Sequence, residues 1–196
     1  PVAQATGAAN TVVLGADGSR RGWNTDVDGL VAALTERAGL PEHPTAVVVG
    51  AGATARSAVA ALARLGAELV VVHARRPEAT GDLQETAARS GVRVEVRGWD
   101  LAEGDLAVDV VVSTTPSGAS DGLAVLVPER PGVLLDVVYD PWPTPLAASW
   151  STAGGTVASG LDLLLHQAVR QVALMTGQTP AVEPMRRALE AAAAAR

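Results

Sequence analysis

Apolar and polar positions fall into two periods along this chain of 196 residues. Short, nearly continuous apolar runs bounded by turn residues lie at 45–49, 69–73, 92–96, 108–112, 132–138 and 155–158. Their length and valine content suit strands buried on both faces, and the material between them is helical or turn-like. Ahead of them, extended stretches at 10–14 and 21–25 flank the turn Ala16-Asp17-Gly18-Ser19, which predicts a β-hairpin. A helix is expected to start at Asp26, with Leu30, Leu34 and Ala38 spaced for a buried face and Gly39 and Pro41 ending it. After Gly160 the period is helical through Leu161, Leu164, Leu165, Ala168, Val172 and Met175 until Gly177, and a last helix begins near Val182 and fades into an alanine run. Strands alternating with helices predict an α/β fold: a parallel sheet, doubly wound, with helices on both faces.

One unit of that alternation carries a chemical signal. The strand at 45–49 runs into Gly50-Ala51-Gly52-Ala53-Thr54-Ala55, then an alanine-rich helix, then the strand LeuValValValHis ending at Ala74-Arg75-Arg76. Glycines at a strand-to-helix turn let backbone N–H groups approach a phosphate, and the helix N-terminus favours its charge. The turn reads as a dinucleotide cradle in a Rossmann-type sheet. An NAD site usually places an acidic residue at the end of the next strand to bind the ribose 2′-hydroxyl, whereas here His73, Arg75 and Arg76 stand there. Guanidinium groups suit a 2′-phosphate, so NADP is the expected cofactor; two solvated arginines closing a strand are the plain alternative.

Composition narrows the field further. There is no cysteine, which removes disulfides, thiolate metal sites, iron–sulfur clusters and cysteine nucleophiles, and no metal centre is expected. A net charge of −6 without a basic run argues against a nucleic-acid surface. No apolar stretch has membrane-spanning length and the first residues lack the layout of a signal peptide, so no membrane partner and a cytoplasmic location are expected. The chain also contains no lysine.

Three polar groups sit at element ends around the predicted crevice: Asn10, the segment Asn24-Thr25-Asp26, and Gln167 on the helix after the last strand. Ligands of doubly wound sheets lie beyond the carboxyl ends of the strands, and a polyhydroxylated substrate needs such donors and acceptors. Taken singly, Asn10 also suits a turn, Asp26 a helix N-cap and Gln167 a solvated helix position.

Taken together these residues resemble the shikimate dehydrogenase family. The segments are Gly7 to Val12 around Asn10, Asn24 to Gly29, the turn Gly50 to Ala55, Ala74-Arg75-Arg76, Ser113 to Pro116, Asp136 to Leu146 and Gly160 to Ala168, in the family's order and covering nearly the whole chain. The resemblance implies reversible, NADP-dependent reduction of 3-dehydroshikimate to shikimate in aromatic amino acid biosynthesis, with a second copy of the chain as the macromolecular partner it leaves open. It implies that Asn10, Asp26 and Gln167 bind substrate hydroxyls, that Tyr139 lines the same pocket, and that Asp26 belongs to the catalytic pair. Gly50, Ala51, Gly52, Ala53 and Thr54 would wrap the pyrophosphate, and Ala74, Arg75 and Arg76 the 2′-phosphate. Thr114, Thr115 and Pro116 would border the cofactor, with Val137, Gly160 and Leu163 towards the nicotinamide. Residues 1–28 then read as the remnant of a substrate-binding domain with its hinge, 29–160 as the NADP-binding domain, and 161–196 as helices returning to the substrate domain.

Departures from the family pattern are informative. The family's Asn-Arg-Thr is Ala74-Arg75-Arg76 here, the third loop glycine is Ala53, and Leu163 stands where methionine is common. The family also carries an amino-terminal portion with serines for the substrate carboxylate and a lysine that pairs with the aspartate. None of this is in the sequence, so the chain is expected to be a piece of an enzyme, inactive alone. A non-catalytic NADP-binding module and a quinate- or shikimate-like dehydrogenase are the alternatives. Arginine cannot easily take the lysine's role, because its pKa is too high to give up a proton; His166, beside Gln167, is expected to be a helix histidine pointing elsewhere rather than a catalytic group, and His43 and His73 are weaker candidates still.

Overall fold

A computed structural model describes residues 2–195. The elements run α1 (Val2–Thr6), β1 (Thr11–Leu14), β2 (Arg20–Trp23), α2 (Thr25–Arg37), β3 (Ala46–Val49), α3 (Ala53–Arg64), β4 (Leu69–His73), α4 (Gly81–Ser90), β5 (Arg93–Arg97), β6 (Val110–Ser113), β7 (Val133–Asp136), α5 (Pro145–Thr152), β8 (Thr156–Ser159), α6 (Gly160–Thr176) and α7 (Val182–Ala194). Short 3-10 turns occupy Pro77–Ala79 and Asp121–Leu126. Strands β3 to β8 form one six-stranded sheet in the order β5-β4-β3-β6-β7-β8, parallel throughout. The order reverses between β3 and β6, and that is where an open α/β sheet leaves a crevice for a ligand.

Every residue of β3, β6 and β7 is buried because the sheet has apolar neighbours on both sides. Side chains alternate between the faces of a strand. Ala46, Val48, Val110, Val112, Val133 and Leu135 accordingly pack with α2, α3 and α4. Val47, Val49, Val111 and Leu134 instead meet Leu106, Leu146 and the fully buried Trp150 of α5. That explains apolar runs without a polar alternate, the pattern of a sheet with both faces covered.

The predicted hairpin is present as β1 and β2, antiparallel with Thr11 opposite Trp23, its turn closed by Gly15 N to Ser19 O at 2.8 Å. Several boundaries differ from expectation. β6 starts at Val110 rather than 108, because Asp109 is taken up in a polar clasp: its Oδ2 accepts from Thr45 N at 2.8 Å and Thr45 Oγ1 at 2.7 Å. Helix α2 starts one residue early, since the N-cap is Asn24, whose side chain accepts from Asp26 N at 3.0 Å; Asp26 lies inside the first turn and is not the cap. Among the described residues no helix is long and apolar enough to cross a membrane, and no His, Asp and Glu cluster suited to a metal is found.

Candidate functional site

The carboxyl ends of β3, β4 and β6 open into a cleft of about 380 Å³ lined by Gly50, Ala51, Gly52, Ala74, Arg75, Arg76, Thr114, Thr115 and Pro116, joined by Ala79, Trp99 and Ala119. Three segments far apart in sequence meet there because their strands are neighbours in the sheet. The turn is shaped for close approach. Gly50 sits at φ +108°, a conformation side chains avoid, and a Cβ on it would run into the Thr114 hydroxyl. Ala53 and Thr54 open α3 directly behind Gly52, its N-cap, and do not line the cleft.

Arg75 and Arg76 are both exposed at the cleft. Several other arginines pair with carboxylates, as in Arg37–Asp162 at 2.6 Å, Arg56–Asp82 at 2.9 Å and Arg64–Asp28 at 2.7 Å, while Arg20, Arg21, Arg93 and Arg130 do not among the described residues, and none of those four lines the cleft. Arg75 and Arg76 have no such partner among the described residues. Two uncommitted guanidinium groups beside a glycine turn form an anion site of the kind a phosphomonoester occupies.

A second, polar cluster is built on α2, α6 and the start of the hairpin. Asn10 Nδ2 donates to Asp26 Oδ1 at 2.7 Å and to Gln167 Oε1 at 3.1 Å. Its Oδ1 accepts from Thr25 N at 2.9 Å and from the hydroxyls of Thr25 and Thr11, each at 3.0 Å. Asp26 Oδ2 and Gln167 Nε2 are left with no protein partner among the described residues, so the cluster offers a ligand one acceptor and one donor. Close contact of the two helices sets this geometry: a Cβ on Gly29 would lie 3.0 Å from Gln167 N and 3.1 Å from Leu163 O. Asn24 braces the site from below, buried, with Nδ2 donating to Thr6 Oγ1 and Ser57 Oγ, both at 2.9 Å.

Burial pushes the Asp26 carboxyl above its ordinary range, and the Asn10 hydrogen bond pulls it only partway back. Asp136, at the end of β7, is wholly buried and raised for the same reason, although it accepts from Thr144 Oγ1 at 2.8 Å and from Val138 N at 3.2 Å. Those two bonds hold both ends of the loop that carries Tyr139.

Not every expected residue is gathered in. Tyr139 is half-exposed and lines a different groove of about 430 Å³ with Trp142, Leu161, Leu164 and Leu189, outside the Asn10 hydrogen-bond network. Leu163 is buried between α2 and α6. Val137 and Gly160 adjoin at the β7 and β8 ends, where Gly160 N donates to Val138 O at 3.2 Å, beyond the cleft's lining. His166 Nε2 lies 2.9 Å from Glu36 Oε2 and plays no part in the cluster. Two neighbours went unread in the sequence: Gln171, whose Nε2 reaches Thr25 Oγ1 at 3.4 Å, and Trp99. Gln171 follows Gln167 by one helical turn, a spacing that could have revealed it. Trp99 has no such local signal.

Known proteins are similar to this chain in sequence and fold. The sequence pattern of the shikimate 5′-dehydrogenase C-terminal domain matches residues 160–190. The chain is 39% identical over 207 residues to the shikimate dehydrogenase (NADP(+)) of Anaeromyxobacter sp. (strain K), covering 100% of this chain and 71% of that protein. Its fold matches the crystal structure of Mycobacterium tuberculosis shikimate dehydrogenase with a TM-score of 0.84 and 42% identity, over 96% of this chain and 69% of that one. It also matches shikimate 5-dehydrogenase of Thermus thermophilus, solved in complex with NADP(H) and shikimate, with a TM-score of 0.80 and 32% identity, over 98% and 71% of the two chains.

Proposed function

This chain belongs to the shikimate dehydrogenase family, and from that premise we propose that it binds NADP(H) in the cleft and shikimate or 3-dehydroshikimate at the polar cluster. The reaction is the reversible reduction of 3-dehydroshikimate to shikimate. The observation that carries this reading is the Asn10 carboxamide bonded at once to Asp26 and Gln167, in a chain whose glycine turn and arginine pair line one cleft.

The residues fit the cofactor: a glycine turn in which Gly50 has no room for a Cβ takes the pyrophosphate, and Arg75 and Arg76 take the 2′-phosphate. Thr114, Thr115 and Pro116 form the opposite wall. When bound, the reduced nicotinamide supplies the hydride that adds to the substrate carbonyl carbon. Val137, Gly160 and Leu163 mark its side of the sheet, and Leu163 precedes Gln167 by four residues, about 6 Å along α6. Gln167 Nε2 and Asp26 Oδ2 grip hydroxyls of the substrate and fix its ring.

The carbonyl oxygen must gain a proton as hydride arrives. Asp26 is suited to share it, because burial favours its protonated form. No ammonium side chain can work alongside it within these 196 residues, which lack lysine. This sequence alone is therefore expected to bind both ligands yet turn over slowly at best. Residues 1–28 and 161–196 serve the substrate, and 29–160 the cofactor. A cytoplasmic location and a homodimer complete the reading. The test is NADPH consumption with 3-dehydroshikimate, measured on this chain and on any longer product of the same reading frame. NADPH and shikimate binding with turnover raised in a longer product is expected; absence of 3-dehydroshikimate turnover in every form would overturn the assignment.

A further inference from the structure

We propose that Trp99 is a binding residue for the adenine ring of the cofactor, an inference that rests on the cleft being the NADP site. Trp99 lies in the turn after β5 and lines the same cleft as Arg75, Arg76 and Ala79. In the strand order β5-β4-β3, its strand stands two places from the glycine turn, about 10 Å at ordinary strand spacing. The pyrophosphate end of a dinucleotide is thus held at β3, the ribose phosphate at β4, and the base is left to the β5 side.

The tryptophan is also held in place. Its indole is half-buried, packed with Val71 and Leu101 against the apolar layer behind the sheet, so that the part left outside faces the cleft. By contrast Trp150 is fully buried. The turn before Trp99 is tied to β4 twice: Ala74 N donates to Arg97 O at 3.0 Å, and His73 Nδ1 lies 2.9 Å from Gly98 O. A carbonyl oxygen only accepts, so His73 carries its proton on Nδ1. Its Nε2 is buried and has no partner among the described residues. His73 is the last residue of the strand that delivers Arg75 and Arg76. The ring wall and the arginines are therefore fixed by one strand end.

Chemistry favours the assignment. The arginines recognise phosphate but not what the phosphate is attached to, whereas an aromatic wall offers stacking to a base. Tryptophan provides the largest such wall, on a side chain with only two torsions to freeze.

The test uses the full chain with NADPH and with adenosine 2′,5′-bisphosphate, which carries the base and the 2′-phosphate but no nicotinamide. Calorimetry should show both binding the wild type, each weakened about tenfold by Trp99→Leu and about twofold or less by Trp99→Phe. The difference in emission between wild type and Trp99→Phe isolates Trp99 from the three other tryptophans, and the bisphosphate should quench it. Unchanged affinity in a folded Trp99→Leu, or no quenching of Trp99 at saturation, overturns the inference while leaving the cleft reading intact. Failure of the wild type to bind NADPH overturns both.

Discussion

At the residue scale the side chain of Asn10 organises the polar cluster, because a carboxamide is donor at one end and acceptor at the other. Its oxygen is saturated by Thr25 and Thr11, which fixes which end faces Asp26 and Gln167. Only then do Asp26 Oδ2 and Gln167 Nε2 point free. Replacing Gln167 by alanine removes the free donor and also an acceptor for Asn10. The loss of one such hydrogen bond, about 1 kcal/mol, should raise the Michaelis constant for shikimate about three- to tenfold with a smaller change in kcat; steady-state kinetics of an active form measures it, and unchanged constants would remove Gln167 from the site. Asn10, Asp26 and Gln167 were legible in the sequence because each borders an element and together they match a family pattern. Asn24 was legible only as a member of the Asn24-Thr25-Asp26 segment, not through its buried bonds to Thr6 and Ser57, and Trp99 was not legible, because its place comes from a strand order that periodicity does not reveal.

At the scale of elements, α2 and α6 form the frame of the cluster, and α7 is fastened to them by charge. Arg186 of α7 reaches Glu36 at 2.6 Å and Asp162 at 3.2 Å, and Arg37 also binds Asp162 at 2.6 Å. Burial alone would raise the Asp162 carboxyl, but hydrogen bonds from Arg37 and the Ser159 backbone, with the charge of Arg37, hold it below its ordinary 3.8. Glu36 is likewise below 4.5: burial opposes, and His166 and Arg186 prevail. A lowered folded pKa stabilises above the unfolded value and is lost as pH falls through the folded one. Asp26 and Asp136, both raised, act the other way: their contribution is present below the ordinary 3.8 and fades as pH rises through their folded values. The fastening of α7 is therefore complete at neutral pH and weakens below about pH 4.5. Thermal unfolding between pH 7 and pH 3 should show Arg186→Gln less stable at pH 7 by about 1 to 2 kcal/mol, since the cluster is half-buried, with a shallower decline into acid than wild type. Parallel pH curves for the two proteins would contradict this. The helices themselves could be read from their period, whereas this fastening could not, since it joins residues 24 to 150 positions apart.

At the scale of the whole molecule, the order β5-β4-β3-β6-β7-β8 turns three separate sequence signals into one cleft: the glycine turn, the arginine pair and the Thr-Thr-Pro segment. The central strands β3, β6 and β7 were legible because both faces are buried, which leaves apolar runs too short for helices, whereas the edge strand β5 alternates exposed Arg93, Glu95 and Arg97 with Val94 and Val96. Tyr139 was placed with the substrate by family pattern, and in the structure it lies over the groove beside α6 and α7. In the proposed function, the two guanidinium groups that follow β4 read the 2′-phosphate. Calorimetric titration of the chain with NADPH and NADH, repeated on Arg75→Ala, tests it most directly. NADPH should bind at least tenfold more tightly than NADH, with much of that advantage lost in the variant; equal affinity of the wild type for the two cofactors would contradict the account.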